Sequence, residues 1–97
     1  MTIKAIVELP AKPGKRGELL ELIKKIAAEH GPHMKDYRGG AFFEVPENPD
    51  MLVEIAEWDS VEERDSVMQE AMKANLLAPV MELLAGPIRA TVAKPLA

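Results

Sequence analysis

The sequence predicts an α+β fold in which an antiparallel sheet carries helices on one face, and three observations predict it. Stretches of alternating apolar parity open, centre and close the chain, near residues 3–9, 41–58 and 88–94. Stretches with apolar residues at helical spacing stand between them. Glycine and proline clusters mark each change of pattern.

The first strand, residues 3–9, places Ile3, Ala5, Val7 and Leu9 on one face and Lys4, Ile6 and Glu8 on the other. Pro10 to Gly14 ends it. From Lys15 to about His30 the residues Leu19, Leu22, Ile23, Ile26 and Ala27 form a helical stripe, with Glu21 and Lys25 paired four apart on the exposed side. Gly31-Pro32 stops that helix. A second strand, residues 41–45, follows Gly39-Gly40 and joins the third, 52–58, through the turn at 46–50, so the two form a hairpin. Ser60 with Glu63 three residues on is a capping-box pair, and Val67, Met68, Ala71 and Met72 give the helix that follows its apolar stripe. A short apolar segment, 76–84, ends at Gly86-Pro87 as a helix cap followed by a breaker, and residues 88–94 alternate again as a last strand.

The order βαββαβ, with a short extra helix before the last strand, is the split βαβ or ferredoxin-like arrangement. Its helices cover one face of the sheet and leave the other bare. On that bare face the parity places Ile6, Phe42, Val53 and Ile55, ringed by Lys4, Glu8, Glu44, Glu57 and Arg89. An apolar centre inside a charged rim is the composition of an interface, and a second copy packed face to face about a twofold axis is the expected partner.

Ninety-seven residues make one domain, 1–97, with one core. A hydrophobic fraction of 47% with 29% charged residues is a globular balance, and no apolar run approaches the roughly 18 residues of a membrane span. The start is strand-like and is interrupted by Glu8 and Pro10, unlike a signal peptide, so a cytoplasmic location and no membrane partner are expected. Zero cysteines exclude disulfides, thiolate chemistry and iron–sulfur clusters, and a net charge of −4 without a basic run argues against nucleic acid.

Five places invite a chemical reading. Trp58, the only tryptophan, stands on the apolar parity where the third strand meets a helix, either stacking on a planar ligand or plugging the core. Glu54 shares that parity, so a carboxyl is expected on the helix-facing side, about 13 Å along the strand from Trp58. Burial would move its pKa up, as a general base needs, unless a helix Lys or Arg pairs with it or a bulge turns it outward. His30 ends the first helix, as a cap or as a base at a pocket mouth. His33 follows, but Gly31-Pro32 breaks the geometry and no third ligand stands near, so no metal is expected. Tyr37 and Arg38 belong to a loop, 34–40, that either closes over a pocket, with Arg38 meeting an anionic oxygen, or is simply solvated. Met68, Met72 and Met81, with Leu76, Leu77, Val80 and Leu84, would form core and pocket wall.

The stretch Lys12-Pro13-Gly14-Lys15-Arg16-Gly17-Glu18-Leu19-Leu20, the segment Phe42-Phe43-Glu44-Val45 with its Pro46/Pro49 turn, the corner Glu57-Trp58-Asp59-Ser60 and the closing Leu84-Ala85-Gly86-Pro87 together resemble the antibiotic biosynthesis monooxygenase family. The resemblance spans nearly the whole chain in order. It implies a dimeric α+β barrel and, for enzymatic members, cofactor-free oxygenation of a planar phenolic or quinol substrate. Related branches degrade haem or isomerise small signalling molecules. In that frame the substrate pocket would include Val7, Phe43, Val67, Met68 and Met72, with Glu54, Trp58 and His30 as catalytic candidates. Two departures fall on the chemistry. Many members carry a histidine in the helix after the tryptophan, where this chain has Val67 and Met68, and haem-degrading relatives carry an asparagine about where Val7 stands, so haem degradation is not expected. In some quinol-oxidising relatives an asparagine occupies about the place of Glu54. The alternative to an enzyme is a non-catalytic small-molecule-binding or structural dimer of the same fold.

Overall fold

A computed structural model describes residues 2–30 and 37–96. The order is β1 (Ile3–Pro10), α1 (Arg16–His30), β2 (Tyr37–Val45), β3 (Asn48–Trp58), α2 (Val61–Lys73), α3 (Ala78–Glu82) and β4 (Arg89–Ala93). The four strands form one antiparallel sheet in the order β2-β3-β1-β4. This is the ferredoxin-like order expected from the sequence. His33 and the 31–36 part of the loop expected before β2 lie outside the described residues. No helix among the described residues is long and apolar enough to cross a membrane.

Register decides which side chains meet the helices, because directly opposed residues share a face. Ile3 opposes Trp58, Ala5 opposes Ala56, Val7 opposes Glu54 and Leu9 opposes Leu52. These rows face the helices. They carry two buried clusters at opposite ends of the sheet. Leu9 and Leu52 pack with Leu19 of α1, Val80 of α3 and Leu84, while Ile3, Ala5, Ala56 and Trp58 pack with Val61, Val67 and Met68 of α2. The row between them holds Val7 and Glu54.

β2 and β3 are longer than the alternation alone suggests. Tyr37 opposes Trp58 and Gly40 opposes Ala56, so three steps on β2 span two on β3. Gly39, at φ 98°, takes up the extra residue, and the strand continues through a bulge instead of starting at Ala41. The hairpin turn is correspondingly tight, since Val45 opposes Asn48.

A second register shift between Glu44 and Val45, with Phe42 opposite Glu54 and Phe43 opposite Val53, corrects the expected parity of β2. Phe42 faces the helices and packs on the α1 cluster, and Phe43 stands on the bare face at 48% exposure. Glu44 likewise leaves the bare face, reaching Arg16 of α1 at 3.4 Å. The bare face therefore carries Ile6, Phe43, Val53 and Ile55, with Lys4, Glu8, Glu57 and Arg89 around them. The sequence leaves the parity of β2 weakly specified, because its alternation is short and two phenylalanines are adjacent. Only pairing with β3 sets which of them turns inward.

The ends of α2 follow local chemistry. Ser60 has extended backbone angles and its Oγ accepts from the Glu63 N–H at 3.1 Å, the expected cap. At the other end Asn75, at φ 57°, lets its own N–H donate to the Met72 carbonyl and the Leu76 N–H to the Ala71 carbonyl, a Schellman closure. The short apolar segment differs from expectation: α3 ends at Glu82, capped by Leu83, and not at Gly86. What stops it is tertiary. The Lys12 N–H donates to the Leu83 carbonyl at 2.8 Å and the Ala85 N–H to the Pro10 carbonyl at 2.8 Å, which straps this segment to the end of β1.

Candidate functional site

Between the two core clusters the sheet and helices leave a cavity of roughly 240 Å³. Its floor is the sheet, with Val7 of β1 and Glu54, Ala56 and Trp58 of β3. Ile23, Ile26 and Ala27 of α1 form one wall, because they continue the stripe that Leu19 anchors. Arg64 and Met68 of α2, Leu77, and Val80 of α3 form the other. Among the described lining residues only Glu54 and Arg64 carry charge.

Glu54 reaches the cavity because β3 keeps its alternation without a bulge from Met51 to Trp58. Burial pushes its carboxyl above the ordinary 4.5, and the nearby Arg64 guanidinium pulls the other way with the smaller effect. The helix arginine thus acts on Glu54 through space. Among the described residues neither a hydrogen bond nor an ion pair within 4.0 Å joins the two. Arg64 has a side chain only 15% exposed, and its nearest carboxylate is the solvent-facing Asp65 at 3.7 Å. Its Nε is buried and has no hydrogen-bond partner.

Arg64 escaped the sequence reading, although a signal existed. It precedes Val67, Met68 and Ala71 by three, four and seven residues, so it stands on the apolar stripe of α2. A cation on that stripe must point toward the sheet.

The other candidates separate. Trp58 is 3% exposed, packs on the α2 cluster and lines the cavity. Val7 and Met68 line the cavity, and Val67 packs beside Met68 on the Trp58 cluster. Phe43 is on the opposite face of the sheet, which removes it from the expected pocket. Met72, 69% exposed, and Met81 also point away, because α2 meets the sheet only through the stripe ending near Ala71 and α3 buries Val80 instead. His30 is the half-buried last residue of α1 and is not among the described residues lining the cavity. Arg38, expected in a loop, belongs to β2 and binds the Asp59 carboxylate through Nε and an Nη at 2.7 Å each. It braces the corner where Trp58 turns into α2.

Known structures share this four-stranded sheet covered by helices on one face. A proposed antibiotic biosynthesis monooxygenase from Bordetella bronchiseptica superposes with a TM-score of 0.85 at 18% identity, covering 99% of this chain and 98% of its own. The fold is that of the antibiotic biosynthesis monooxygenases. A Streptomyces coelicolor monooxygenase solved with the ligand nanaomycin D gives 0.82 at 21% identity, covering 98% and 88%. A Mycobacterium tuberculosis protein gives 0.78 at 23%, covering 100% and 97%. No family model and no curated protein matches the sequence. At these identities it is architecture that is shared, and the chemistry rests on this chain's own residues.

Proposed function

We propose that the protein is a cofactor-independent, monooxygenase-like enzyme acting on a small planar phenolic or quinol substrate held between β3 and the helices. The observation that carries this reading is a single carboxyl, Glu54, on the floor of a cavity whose described lining is apolar apart from it and Arg64, and which Trp58 also lines. A carboxyl whose pKa burial has raised is suited to exchange a proton with a weakly acidic hydroxyl. Glu54 takes that proton, and the electron-rich anion so formed reduces O₂. In an anthrone-like substrate a ring CH₂ becomes C=O, and its two hydrogens leave with the second oxygen atom as water. The substrate supplies all the electrons. Trp58, Met68 and the α1 wall orient the ring and keep water out. The Streptomyces coelicolor monooxygenase that holds nanaomycin D supports such a use of the fold.

The test is oxygen uptake by the purified protein with reduced naphthoquinones and anthrones. Turnover that drops on Glu54→Gln and on Trp58→Phe is expected. Uptake at the uncatalysed rate that neither substitution changes would sink the reading. One observation favours the second reading, a non-catalytic binding dimer: α2 carries Val67 and Met68 and no histidine. Tight binding of the same aromatics without oxygen uptake would select it.

Either reading is proposed to act as a homodimer. The bare face carries Ile6, Phe43, Val53 and Ile55 with no element among the described residues above them, and a charged rim surrounds that patch, as in an interface between copies.

A further inference from the structure

We propose that Arg64 is an anion anchor, so that the cavity selects flat aromatic molecules bearing one anionic oxygen, a carboxylate or an enolate, over neutral molecules of the same shape. This rests on the cavity being the ligand site proposed above and adds the chemical class it takes.

Arginine carries five N–H donors in a rigid plane and keeps its charge at any working pH. In this chain Arg64 lines a cavity whose other described walls are apolar apart from Glu54. Its Nε is buried without a partner, and Asp65 at 3.7 Å is beyond hydrogen-bond reach and more than half exposed. Leaving a buried donor unsatisfied costs stability, so the fold holds this guanidinium at the cavity without meeting its full hydrogen-bond demand, and its other N–H donors are the ones a ligand oxygen would meet.

Glu54 is not positioned to meet that need. The two side chains line one cavity without touching, and burial favours the neutral form of the carboxyl. With Glu54 protonated, as it is once it has taken the substrate's proton, the two charged lining residues hold one net positive charge, which the anion so formed, or one that binds already ionised, complements. An anion would also strengthen the hold of Glu54 on its proton, so binding and proton uptake should be linked. Arg64 is the only other charged group lining the cavity among the described residues, the facing residues of α1 being Ile23, Ile26 and Ala27. A cavity of roughly 240 Å³ lies just under the usual range for ligand sites, about 300–1,000 Å³, which points to one or two rings.

The experiment measures binding of three probes to the full chain by calorimetry: 2-naphthoate, 2-hydroxy-1,4-naphthoquinone, which is ionised at neutral pH, and neutral 2-methylnaphthalene. Expected is about a tenfold or greater preference for at least one anion, which Arg64→Gln abolishes while sparing the neutral probe and which Arg64→Lys restores in part. The first two probes distinguish a carboxylate from an enolate. The anion's affinity should fall as pH rises through the titration of Glu54, and Glu54→Gln should remove that dependence. If the neutral probe binds as well as both anions, or Arg64→Gln lowers all three affinities equally, the anchor is refuted while the aromatic cavity stands. Binding of none of the three overturns the anchor, and the oxygen-uptake test above then decides the ligand site by itself. Circular dichroism of each variant verifies folding, and Arg64→Lys carries the test if Arg64→Gln is unfolded.

Discussion

Glu54 pays for its place in the middle of β3 with a dehydrated carboxyl, and the sign of the consequence is fixed. Its pKa is higher in the folded chain than the 4.5 of an ordinary side chain. Between those two values the folded state keeps a proton that the unfolded chain has released, so stability falls as pH rises through the window and stays lower above it. Glu54→Gln should therefore be more stable than the parent at neutral pH, with the difference vanishing below the ordinary value. Urea unfolding of both proteins across pH 4 to 8 measures it, and a difference that does not grow with pH would show that Glu54 is not desolvated. Trp58 carries the opposite burden. At 3% exposure it anchors the α2 cluster, so Trp58→Ala should lose about 3–5 kcal/mol, measured as a lower urea midpoint, while Trp58→Phe loses less. That asymmetry makes Trp58→Phe the usable variant for the oxygen-uptake test. At this scale Glu54 and Trp58 were legible as a parity pair. Arg64 was legible only as an anomaly on a helical stripe, because nothing local says how deep a long side chain will reach.

The elements end where local chemistry or tertiary bonds stop them, and the two kinds of ending make different predictions. Ser60 stops α2 at its start by a side-chain bond within its own turn, so Ser60→Ala should cost about 1 kcal/mol in unfolding free energy. Asn75 closes the other end in a left-handed conformation, so Asn75→Val should cost about 1–2 kcal/mol and Asn75→Gly little or nothing. Thermal melts of the three variants check both, and equal melting of Asn75→Val and Asn75→Gly would contradict the Schellman assignment. The Ser60–Glu63 box was readable because capping is written within four residues. Asn75 was less so, since asparagine is an occasional occupant of a position usually held by glycine. The end of α3 was not readable at all, because Gly86-Pro87 offered a plausible local stop while the actual one is a pair of bonds to Pro10 at the end of β1 and to Lys12 just after it, more than seventy residues earlier.

In the whole molecule the two core clusters are held apart by the row that carries Val7 and Glu54, and the cavity occupies that gap. The opposite face of the same sheet should bury its apolar centre in a second copy. Sedimentation at micromolar concentration is expected to give a dimer for the parent and a monomer for Ile55→Asp, and a monomeric parent would refute the interface. By itself the sequence determined the order of elements, the antiparallel sheet, the helix-facing parity of β1 and β3, and the acid among apolar residues. Those are properties of short-range periodicity, which each segment carries within itself. Only the tertiary structure decided that Phe42 turns inward and Phe43 outward, that Met72 and Met81 stay in solvent, and that Arg64 meets the cavity of Glu54. Each of these depends on strand register or on how a helix is rolled against the sheet, and both are set by contacts between residues distant in the chain.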